Sequence, residues 1–103
     1  MSDALSRIGP SALTNSAATI FTSTGQTTLR SIRVCNETGT ARTFDLSIGT
    51  AGAGKYLFKG VTVAANDSFG DDLNITLADT EILQALASVN SALTITIGTV
   101  VTT

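Results

Sequence analysis

The sequence predicts an all-β protein: a single β-sandwich of about seven or eight strands with an extended N-terminal arm. Three observations carry that prediction. Short runs of β-branched and aromatic residues recur at roughly 8–12-residue intervals with turn-forming residues between them, a pattern of sandwiches and barrels. The 18 threonines and 10 serines do not form a tract but alternate with Ile, Leu, Val and Phe, as on half-exposed pleated faces. A chain of 103 residues makes one domain with a modest core.

Residues 1–16 hold the one proline, Pro10 after Gly9, and show no sustained period. Ile8 and Leu13 are isolated apolar points there. The stretch reads as an arm that docks on a partner through Ile8, Pro10 and Leu13, leaving residues 17–103 as the sandwich. A first strand lies at Ala17–Thr22, around Ile20 and Phe21. After a turn at Ser23–Gln26, Thr27–Asn36 sets Ile32 and Val34 against Arg33 and Cys35. Leu29 is out of phase with Ile32, which predicts a β-bulge between them. Cys35, beside Ile32 and Val34, reads as a small core filler. Glu37–Thr40 reads as a hairpin turn, with Gly39 supplying a positive φ.

Phe44, Leu46 and Ile48 then face one way and Thr43, Asp45 and Ser47 the other. The partner strand is Tyr56–Val63, beyond a flexible loop at Gly49–Gly54. Asn66-Asp67 begins another turn, and Leu73, Ile75 and Leu77 fall in phase on a strand from Phe69 to Leu77. The last strand, Leu93–Val101, alternates Leu93, Ile95 and Ile97 with Thr94, Thr96 and Gly98.

Residues 79–89 support two readings. Asp79 as N-cap, early acids and the Ile82–Leu86 and Ala85–Val89 pairs describe a short helix. Taken as a strand, Ile82, Gln84 and Leu86 face one way and Leu83, Ala85 and Ala87 the other. The strand is preferred, because a sandwich needs an inner partner for Leu93–Ile97.

Composition removes several chemistries. Without histidine there is no Ser-His-Asp triad, Cys-His pair or imidazole metal ligand. One cysteine forms neither an internal disulfide nor a thiolate zinc site. A net charge of −2, with Arg30, Arg33, Arg42, Lys55 and Lys59 scattered singly, argues against nucleic acid as a partner. The N-terminal residues lack the apolar run of a signal peptide, and no stretch approaches the ~20 apolar residues of a membrane span. The chain is therefore expected to be made inside the cell and not to enter a membrane. Charged residues are 14%, low for a free-standing soluble domain.

Three motifs are weighed against plainer readings. Gly49-Thr50-Ala51-Gly52-Ala53-Gly54-Lys55 matches the start of a phosphate-binding loop. Tyr56 then stands where Ser or Thr is needed, and a strand follows where a helix is required, so a hairpin loop is expected. Asp67, Asp71 and Asp72 are the candidate metal ligands, but their spacing fits no EF-hand and turn-forming acids are the plainer reading. As neighbours on a strand, Asp71 and Asp72 point to opposite faces, which argues against an acid/base pair. Asn-x-Ser/Thr triplets at Asn36, Asn66 and Asn74 read as chance products of a Thr-rich chain.

The run Ser31–Ala41 followed by Phe44–Gly49 resembles a group of small tailed-bacteriophage virion structural proteins. So do Leu57-Phe58 ahead of Val61–Asp67, Ile82–Ala87 ahead of Ala92–Ile97, and the opening Leu5–Thr14. The likeness spans nearly the whole chain and lies in style and spacing. It implies a sandwich of jelly-roll type, no enzymatic activity and no cofactor. It also implies attachment in many copies to the virion: decorating the capsid as a homo-oligomer, such as a trimer, on the major capsid protein, or sitting on the tail. No catalytic residue is carried over. A host-glycan-binding module is the alternative of another class, with Tyr56 as the residue to test.

Overall fold

Eight strands and no helix make up the computed structural model, which describes residues 3–49 and 54–102. They are β1 (Asp3–Ala12), β2 (Ala18–Thr22), β3 (Gln26–Asn36), β4 (Arg42–Ile48), β5 (Tyr56–Val63), β6 (Asp67–Leu77), β7 (Ile82–Ala87) and β8 (Leu93–Thr102). Two four-stranded antiparallel sheets result, ordered β1-β8-β3-β6 and β2-β7-β4-β5. Of the consecutive strands only β4 and β5 are neighbours in one sheet; every other connection crosses to the opposite sheet. That is the eight-strand, double Greek-key jelly roll.

The period-2 pattern explains the core. In β3, β7 and β8 the inward residues Leu29, Ile32, Val34, Leu83, Ala85, Leu93, Ile95 and Ile97 are buried. Phe44 and Leu46 of β4, beside β7 in the same sheet, complete the core with them. Phe44, Phe58 and Phe69 pack from both sheets with ring centroids 5.5–5.9 Å apart. The principal extents of 45 × 26 × 18 Å fit one layer of side chains between two sheets. The bulge expected between Leu29 and Ile32 is present: pairing of β3 with both β6 and β8 jumps between Leu29 and Ser31.

Within residues 79–89 the structure forms a strand, at Ile82–Ala87, preceded by a turn. Asp79 accepts the Gly25 N–H at 2.9 Å, and Thr80 takes a positive φ and donates its N–H to the Ser23 carbonyl. No helix starts there. Ladders to β2 and β4 on either side take the backbone of Ile82–Ala87, which overrides the local helical spacing. Leu83, Ala85 and Ala87 face the core, as the strand reading requires.

Several expectations need correction. Residues 3–12 are extended, but not separate from the sandwich: they form β1 along β8. Ile8 stands opposite Ile97 in the core, and Leu13 is 1% exposed, its N–H donated to the Leu93 carbonyl. The period was hidden by an irregularity at Gly9–Pro10, where the register jumps from Ile8↔Ile97 to Ser11↔Ile95. The Glu37–Thr40 turn is not a hairpin; it carries the chain from one sheet to the other, and Gly39 is not among the positive-φ residues. Cys35 is exposed, on the outer face with Arg33, because Val34 and Asn36 beside it point inward. Asp45 and Ser47 face outward yet are buried, at 7% and 1% exposure. The expected flexible loop at Gly49–Gly54 falls largely on residues 50–53, outside the described residues; β5 follows Lys55, so the helix that a phosphate loop needs is not there.

Candidate functional site

Asp45 anchors the one ion pair among the described residues. Opposite it, β5 carries one extra residue: Phe44 pairs with Val61 and Leu46 with Phe58, so Lys59 and Gly60 together oppose Asp45 in a bulge. Gly60 takes φ +63°, a left-handed conformation that favours glycine. The carboxylate fills that bulge, accepting the Gly60 N–H at 2.7 Å and the Lys59 ammonium at 3.0 Å. Lys59 also lies 4.7 Å from the centre of the Tyr56 ring. The hydrogen bond to Asp45, then its charge, then Tyr56 raise the Lys59 pKa above its ordinary 10.5. This cluster closes on itself. The Tyr56 ring, the candidate sugar platform, is half-buried and carries a lysine on its face.

The candidate metal ligands do not converge. Asp67 begins β6 opposite Asn36, whereas Asp71 and Asp72 lie further along, opposite Ile32 and Ser31. Asp67 and Asp71 each accept the N–H of the following residue, at 2.8 and 2.9 Å. Among the described residues no group of three or more His, Cys, Asp or Glu could hold a metal ion. Two shallow clefts of about 330 and 320 Å³ open along this strand, one beside Cys35, Glu37 and Asp67, the other beside Arg33, Asp71 and Asp72. Arg33 lies across Gly70, where a Cβ would press on its guanidinium.

Of the three residues assigned to partner docking, Ile8 and Leu13 are core and only Pro10 is exposed. The residue that sequence reasoning missed is Asn36, seen only as part of a glycosylation triplet. It is 1% exposed and bridges two corners of the sandwich. Its amide nitrogen donates to the Thr40, Val63 and Ala64 carbonyls at 2.9–3.2 Å. Its oxygen accepts from the Thr38 N–H and hydroxyl at 2.9 and 2.6 Å. The available signal was phase: Asn36 continues the inward series Ile32, Val34.

Charge is divided across the width of the molecule. Residues 8–29 and 82–103 contain no charged side chain. They supply β2, β7, β8 and the second half of β1, which lie together on one side of the sandwich. Charged residues within strands otherwise fall on β3–β6: Arg30, Arg33, Arg42, Asp45, Lys59 and the three β6 aspartates; the two others are Asp3 and Arg7 of β1.

Neither a protein-family model nor a curated protein matches the sequence. The fold defines the class, a single jelly-roll domain, and solved structures share it. A chain from Bacillus endospore appendages, which form a family of disulfide-linked pili, is 14% identical with a TM-score of 0.50, covering 96% of this chain and 82% of that one. A chain of the T13 infectious bursal disease virus particle is 8% identical with a TM-score of 0.56, covering 96% of this chain and 31% of that one. The corresponding values for the Gx strain of that virus are 9%, 0.50, 96% and 30%. This chain thus spans under a third of the viral chains' length. At such identities the likeness is one of fold.

Proposed function

We propose that this chain is a non-enzymatic structural subunit of a tailed-bacteriophage virion, carried in many copies on the head as a capsid decoration protein. The observation that carries the reading is the jelly roll itself, a fold shared with chains of a virus particle and a pilus. It occurs in a sequence that resembles phage virion proteins along nearly its whole length. The partners are the major capsid protein and further copies of the chain. Two features support an assembled subunit: a side of the sandwich almost without charge, and outer faces rich in threonine. With many copies on one particle, avidity lets each contact be modest. The capped Tyr56 ring speaks against the glycan-binding alternative, and Tyr56→Ala is expected to leave host adsorption unchanged.

Antibody labelling of intact particles in the electron microscope tests the placement. Label over the head surface is expected. Label confined to the tail overturns the decoration role in favour of the tail, and particles that lack the chain overturn both.

A further inference from the structure

We infer that Asp67 and Asp71 cap the free edge of β6: each carboxylate occupies a backbone N–H that an added strand needs, and without them β6 pairs with β6 of a second copy. The inference concerns the isolated chain and does not depend on where the protein sits on a particle.

An edge strand offers unpaired N–H and C=O groups to any strand that fits. Three of the four edges are interrupted. β1 has its irregularity at Gly9–Pro10, and Pro10 has no N–H to offer. β2 is five residues long with an irregularity between Thr19 and Phe21. β5 carries the bulge at Lys59 and Gly60. β6 is 11 residues long and holds no proline. One alternation runs along it despite the register jump opposite Leu29–Ser31. Phe69, Leu73 and Leu77 pack on the core, and Gly70, Asp72, Asn74 and Thr76 are exposed.

Asp67 and Asp71 belong to the inward row. They stand opposite Asn36 and Ile32, both buried, yet are themselves exposed at the edge. Inward-phase charge on an edge strand is a known obstacle to pairing. Here the carboxylates also turn back on their own backbone. Asp67 Oδ1 accepts the Ser68 N–H at 2.8 Å, and Asp71 Oδ1 accepts the Asp72 N–H at 2.9 Å. In a strand, N–H groups an even number of residues apart point the same way. Those of Ser68 and Asp72, held by side chains and not by β3 carbonyls, point to the free edge. Two of the donors that a further strand requires are thus already taken.

The same parity defines the pairing that the caps prevent. Outward N–H groups fall on even-numbered residues, so two antiparallel β6 strands would bond through residues 68, 70, 72 and 74. Facing residue numbers in such a pair sum to a constant. Centred on residue 71, Phe69 meets Leu73, Asp72 meets Gly70 and Asp67 meets Ile75. That register matches the apolar residues and sets like charges together only at the axis. There the two Asp71 carboxylates would meet in a close pair without hydrogen bonds between them, giving up water for repulsion.

Sedimentation velocity of the full-length chain across a range of concentrations tests the inference, with the native chain as baseline. Asp71→Val removes a cap and the facing charges, and is expected to strengthen self-association roughly tenfold or more. Asp71→Ala, which adds no bulk at the edge, is expected to act in the same direction, and adding Asp67→Ala to strengthen it further. Asp72→Val removes the same charge from the outward row, where it caps nothing, and is expected to sediment as the native chain. Hydrogen exchange of the associated variants is expected to show new protection at Ser68, Gly70, Asp72 and Asn74. Far-UV spectra establish that each variant is folded. Folded Asp71 variants that sediment as the native chain, alone or with Asp67→Ala, would overturn the inference. So would an Asp72→Val chain that associates as strongly, or new protection on β1, β2 or β5 in place of β6.

Discussion

Asn36 and Asp45 show how polar residues hold this sandwich from positions where side-chain alternation gives no hint of a partner. Asn36 sits in a core position and satisfies backbone groups from two connections. Removing it leaves buried donors and acceptors without partners, each worth about 1–3 kcal/mol. Asn36→Ala should therefore cost at least about 2 kcal/mol in chemical denaturation; a loss under 0.5 kcal/mol would show that the corners are held by something else. Asp45 and Lys59 make a pH-dependent contribution with a definite sign. Because its pKa is raised on folding, Lys59 keeps its proton longer in the folded chain than in the unfolded one. Its contribution is complete below the ordinary value of 10.5 and fades as pH rises through the raised one. The difference in Tm between native protein and Lys59→Met should hold constant to about pH 10 and shrink above it. A difference that grows with pH would contradict the pairing. Apolar core positions are simpler: Leu46→Ala and Ile95→Ala, both at 0% exposure, should each cost about 2–5 kcal/mol.

At the level of the strand, much was legible because one face of each strand is buried. Leu93, Ile95 and Ile97 announce their phase directly. The bulge in β3 was legible too, since Leu29 and Ile32 cannot share a face without it. What strand phase alone could not supply was set by neighbouring strands: the burial of Asp45 depends on a bulge in β5, and the strand at 82–87, preferred over a local helix because a sandwich needs it, is held by ladders to β2 and β4. β1 was hidden for a similar reason. Gly9 takes φ +80°, and a Cβ there would collide with the Ile95 carbonyl oxygen, so the step that breaks the period requires glycine. Gly9→Ala should lower the Tm by several degrees, whereas a change under about 1 °C would mean that β1 readjusts freely. Deleting residues 2–13 is now expected to do more than remove a docking segment. It strips Ile8 from the core and leaves β8 as a bare edge, so the truncated chain should unfold at markedly lower denaturant. Unchanged stability would show that β1 is not integral to the sheet.

Across the whole molecule, the jelly roll turns a linear feature of the sequence into a spatial one. Two uncharged segments far apart in the chain, 8–29 and 82–103, come together because β1 lies beside β8 and β2 beside β7. Apart from Asp3 and Arg7 of β1, charged strand residues gather on β3–β6, around Asp45, Lys59 and the β6 aspartates. The composition alone, low in charge and high in threonine, could signal an assembled subunit but not which side of it meets a neighbour. That division suits a subunit packed among copies, with its uncharged side covered and its charged side in water. The most direct test of the structural role is copy number, counted by quantitative mass spectrometry of purified virions against the major capsid protein. A decoration subunit should be present in hundreds of copies, in fixed proportion to the capsid protein. A handful per virion, or none, would contradict it.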